Sequence, residues 1–149
     1  MAFSSEAALQ AALATAATAA VAQVEEKVYT EFAGNLNQYY GEFIPAEYIR
    51  TGALFNSLER TGVMPSGSGA SAEVYFTTPS YQQGMVPIQS TPITGEYGWA
   101  TWTGEQVLDT AMHGSHGGYA SGTAIWDESI GALGDINALL MQALKAQGL

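Results

Sequence analysis

The chain contains no cysteine, and it sets only 4 Lys or Arg against 14 Asp or Glu. Without cysteine, a disulfide scaffold, thiol catalysis and a thiolate metal site are all excluded. The redox compartment stays open. A formal net charge of -10 disfavours a nucleic-acid binder, because nothing here neutralises a row of phosphates. Charge of either sign is scarce: 12% of residues, about half the usual share. The surface must therefore be made of Gly, Ser, Thr, Asn and Gln, or be covered by neighbouring subunits. A secretory signal needs a basic start, and the first cation is Lys27. Glu6 and Gln10 interrupt the Ala-rich opening, which is weakly hydrophobic for a membrane span, so a soluble helix is expected there.

What is present is enough to fold. At 149 residues and 47% apolar, the chain suits a single domain, 1–149, with a real core. Ser4 and Ser5 can cap a helix, and Glu6 suits its first turn. Leu9, Leu13, Val21, Val24, Val28 and Phe32, bridged by Ala16, Ala17 and Ala20, recur at three and four. The spacing predicts a helix over about 4–33, roughly 40 Å long, with Gly34-Asn35 as its C-cap. That length points to an end that protrudes or packs on another subunit, or to a helix that crosses the domain's own sheet.

Pro45 breaks an aromatic stretch, and a short helix is expected over Thr51 to Glu59 with Thr51 as N-cap. A hairpin follows: Arg60 to Met64, a turn at 65–69, then Ser71 to Thr77. In its second strand Ala72, Val74 and Phe76 alternate with polar or exposed neighbours. Thr78 to Thr103 reads as a long loop with a short strand; its Tyr81, Tyr97, Trp99 and Trp102 mark it for docking. Gly104 to Met112 reads as a short helix, His113 to Tyr119 as a glycine-rich turn, and Tyr119 to Trp126 as a strand. A last helix, from Asp127 or Ser129 to Ala146, is weakened by Gly131 and Gly134, which makes Asp135 a second cap. The sum is an α+β fold: long N-terminal helix, short helix, small antiparallel sheet with a long loop, C-terminal helix.

Little in the sequence carries chemistry. Asp109, His113 and His116 would share a face on a helix and could hold a metal, but Gly114, Gly117 and Gly118 disfavour a helix there. Turn histidines bonded to backbone are the simpler reading. Gly114 to Gly118 has no phosphate-loop pattern and no cation nearby in sequence. The carboxylate pairs Glu25-Glu26 and Asp127-Glu128 read as solvated charge. Arg50, beside the expected cap, reads as a structural or intersubunit partner for a carboxylate. No catalytic residue, cofactor or metal site is expected.

The segment Tyr48-Ile-Arg50-Thr51-Gly52-Ala-Leu54-Phe-Asn-Ser57-Leu58 resembles one found in the neck proteins of tailed bacteriophages, the head–tail joining or tail-completion family. In that family an Ala-rich or charged helix comes first. An aromatic–x–Arg-Thr-Gly-x-Leu-x-x-Ser segment follows, then a hairpin, a glycine-rich loop with a strand, and a closing amphipathic helix. The order matches over nearly the whole chain. Tyr119-Ala-Ser-Gly-Thr123 is a partial echo of the family's later strand and lacks its acidic residue. The resemblance implies a structural virion protein, assembled in the host bacterial cytoplasm. It would form a homo-oligomeric ring between head-closure or adaptor proteins and the tail terminator or tube, with DNA passing through unbound. Arg50, Tyr81, Tyr97, Trp99, Trp102 and Trp126 are then the interface candidates. The competing readings are another virion part (a tail terminator, tail-tube or minor tail protein) and a small metal-dependent hydrolase using Asp109, His113 and His116.

Overall fold

In a computed structural model of the chain, the described residues are 4–41, 53–67, 69–78, 85–88, 98–101, 104–116, 119–120 and 124–148. They form an α+β fold of a long N-terminal helix, small antiparallel strand pairs and C-terminal helices. Two compact units share the chain: Met1–Glu31, Arg60–Tyr75 and Leu133–Leu149 make one, Phe32–Glu59 and Phe76–Ala132 the other. The first helix contributes to both units.

That helix, α1, runs Glu6–Gly41, 36 residues and about 54 Å. Ser5 caps it: the Ala8 amide donates to Ser5 Oγ at 3.2 Å. Glu6 lies in the first turn, where the helix dipole favours it, and accepts from Gln10 Nε2 at 3.3 Å. Alanine, the strongest helix former, does the rest. The expected stop at Gly34-Asn35 does not occur. Gly34 is helical and exposed, and the next residues gain more by packing than the glycine loses. Phe32 and Leu36 are buried, and Asn35 Nδ2 donates to Ser129 Oγ at 2.8 Å. A helical glycine costs about 1 kcal/mol, less than burying two large side chains returns at about 1.5–3 kcal/mol each.

In the first unit, β2 (Met64–Ser66) pairs antiparallel with β3 (Gly69–Ser71), Pro65 facing Ala70, around Gly67 at φ 57°. This hairpin is tighter than the turn expected over 65–69. The Thr61 amide donates to the Glu73 carbonyl at 3.0 Å, which continues the same hairpin. The closing helix α4 (Ile136–Ala146) starts on Asp135, whose side chain accepts from the Asn137 amide at 2.8 Å. Gly134, at φ 68°, turns the chain just before it, in the left-handed region that glycine enters without penalty. Gln23, Val24 and Lys27 of α1 line a shallow groove with Leu139, Gln142 and Ala143 of α4.

In the second unit, which starts within α1 at Phe32, a 3-10 turn, Phe55–Ser57, stands in place of the short helix expected over 51–59. Ser57 is buried and its hydroxyl donates to the Leu54 carbonyl at 2.6 Å. β1 (Leu58–Arg60) and β4 (Val74–Phe76) are short strands, and the Thr77 amide donates to the Ser57 carbonyl at 2.8 Å. Along β4 the expected alternation holds, with Val74 and Phe76 less exposed than Tyr75.

The stretch read as a loop contains a strand pair: β5 (Met85–Ile88) runs antiparallel to β6 (Gly98–Thr101), Pro87 facing Trp99. Short strands without a polar-apolar alternation leave no period to read. Helix α2 (Gly104–His113) is followed by the short strands β7 (Ser115–His116) and β8 (Tyr119–Ala120). The strand expected over 119–126 is cut short. Ile125 to Leu133 is helix α3, whose Ile125, Ser129 and Leu133 are buried at a spacing of four.

Candidate functional site

Of the six interface candidates, Arg50, Tyr81, Tyr97 and Trp102 lie outside the described residues. Trp99 is in β6, in register with Pro87. Trp126 is on α3, not on a strand, and is 41% exposed. Its ring is 5.3 Å from that of Phe32, which also meets Phe76 edge-on at 5.7 Å. Phe32 is buried and Trp126 caps it from outside. Trp126 is thus half core and half surface, the arrangement interface aromatics favour. Ile130, one turn further along α3, is exposed beside it. Tyr40 meets Phe55 at 5.6 Å, and its hydroxyl accepts from the Phe55 amide, while Phe55 itself stays exposed.

Of Asp109, His113 and His116, the first two have described side chains, and the side chain of His116 lies outside what is described. Asp109 and His113 are four apart on α2, but the helix ends at His113 and Gly114 turns away at φ 76° into β7. His113 Nδ1 instead lies 3.3 Å from Asp127 Oδ1 on α3, both side chains more than half exposed. Among the described residues no group of three His, Asp or Glu could hold a metal ion. The pair Asp127-Glu128 serves the start of α3: Glu128 Oε1 accepts from the Ala124 amide at 3.2 Å.

Glu25-Glu26 departs from the solvated reading. Glu26 is exposed, but the Glu25 side chain is 9% exposed, and its Oε1 is buried with no hydrogen-bond partner. Arg60, at the end of β1, reaches both. Its Nη1 donates to Glu26 Oε2 and stands 3.7 Å from Glu25 Oε2. Its guanidinium lies over the Tyr29 ring, 4.4 Å from the centroid. The hydrogen bond it donates to Glu26 raises the Arg60 pKa above its ordinary value, so the cation persists at every usable pH. Spacings of three and four put Glu25, Glu26 and Tyr29 on one helix face. That spacing was visible in sequence; the partner 34 residues away was not.

Helix α1 is long and apolar. Its most apolar 18-residue window has a mean hydropathy of 1.4, and 11% of it is buried. By length and composition this helix is also able to cross a membrane. Thr15 and Thr18, two of its few hydroxyl groups, donate to the Ala11 and Ala14 carbonyls at 2.9 and 2.8 Å. Their polarity is spent on their own backbone. The chain matches no protein-family model, no curated protein and no solved structure.

Proposed function

We propose that this chain is a structural subunit of a tailed-phage neck, one copy in a ring that joins the portal and head-closure complex to the tail. The observation that carries the proposal is α1: 36 helical residues, with only 11% of the most apolar, Ala-rich window fully buried in the single chain. Ring subunits use heterologous surfaces that close by rotation, and small side chains let two helices approach closely. The exposed aromatics Phe55 and Trp126 supply the kind of anchor such contacts use. A net charge of -10 suits a channel wall, because phosphates are repelled and DNA slides past. The Arg50-Thr51-Gly52-x-Leu54-x-x-Ser57 segment supports the same family by resemblance.

The test is mass photometry of the purified protein, alone and mixed with portal–adaptor particles or tails. A ring subunit appears as a closed multimer or joins those particles. A monomer that joins neither refutes the proposal. The hydropathy of α1 favours one other occupant, a lipid bilayer. Liposome flotation separates the two: the neck subunit stays at the bottom of the gradient, and a membrane protein rises with the vesicles.

A further inference from the structure

Arg60 serves two carboxylates unequally. It bonds the exposed one, Glu26, and leaves the buried one, Glu25, at 3.7 Å, with a second, buried oxygen that has no hydrogen-bond partner. A buried carboxylate oxygen without a donor is costly, whereas an exposed carboxylate has water. The observed pairing thus leaves Glu25 incompletely satisfied, and Glu25 Oε2, at 3.7 Å, is the second acceptor near the same Nη1. The Arg60 side chain is 40% exposed, so it has room to turn, and its planar fork carries further N–H groups. Tyr29 stays beneath the guanidinium as a shared platform.

We infer that Arg60 is a two-position latch, resting on Glu26 in the free chain and passing to Glu25 when Glu26 is drawn away. Glu26, 63% exposed, is the carboxylate a neighbouring cation can reach. When such a cation takes Glu26, Arg60 swings to Glu25 and satisfies the buried oxygen. The switch then tightens the hold of the Arg60 strand on α1 within the same unit. The inference stands on this geometry and does not require the neck reading.

Glu26→Gln mimics the loss of Glu26 at an exposed position that the fold tolerates. If the latch operates, Glu25→Gln lowers Tm more in the Glu26→Gln background than in the wild type. The expected excess is at least about 2 °C, the scale of one lost contact in a chain this size. A static arrangement gives additive losses. A crystal structure of Glu26→Gln supplies the second readout: the latch places Arg60 in hydrogen-bond contact with Glu25. Additive Tm losses, or Arg60 still bonded to position 26, overturn it.

Discussion

Gly34→Ala separates two accounts of the first helix by the sign of its effect. If Gly34 were a C-cap in the left-handed region, a Cβ there would cost about 1–2 kcal/mol. In the structure Gly34 is an interior helical residue, and a Cβ added to it meets no atom within 4 Å. Alanine then gains the full helix-propensity difference, about 0.8–1.0 kcal/mol. For a chain of this length that raises Tm by about 2–4 °C. The matched control is Gly134→Ala. Space is equally open there, but φ is 68°, so the same substitution is strained and should lower Tm by a similar or larger amount. Thermal melts and urea titrations followed by far-UV circular dichroism, at one fixed protein concentration, measure both variants. A destabilised Gly34→Ala would refute the continuous α1 and restore a break at 34–35.

Three further outcomes follow from the packing and the caps. Phe32→Ala removes the ring buried between Phe76 and Trp126, and should cost about 3–5 kcal/mol in chemical denaturation; a loss under about 1 kcal/mol contradicts that cluster. Asp135→Ala removes the side-chain acceptor of the Asn137 amide and should cost about 1 kcal/mol, whereas Asp135→Asn should be close to neutral. Trp126→Ala should weaken subunit association more than folding, because the indole is part exposed; mass photometry against thermal melts distinguishes the two losses.

The elements with long, regular patterns were legible from the sequence. The start of α1 at Ser5, the Ala72–Phe76 alternation, and the Gly134-Asp135 break before α4 each follow from local chemistry. The misses share a cause, which is tertiary override of a local signal. Gly34 looked like a stop until Phe32, Leu36 and Asn35 were packed around it. Trp126 looked like a strand end until Ile125, Ser129 and Leu133 proved to form one buried helical stripe. The β5–β6 pair had no alternation to reveal it. Glu25 and Glu26 are adjacent in sequence and exposed to quite different degrees, which only their helical phase and Arg60 explain.

The neck proposal is tested most directly by a cryo-EM map of the head–tail junction of the tailed phage proposed to encode this chain. The account predicts a ring whose repeating density accepts the helix Glu6–Gly41, its Ala-rich face packed against a neighbouring subunit. A junction whose rings are all built from other chains would contradict it.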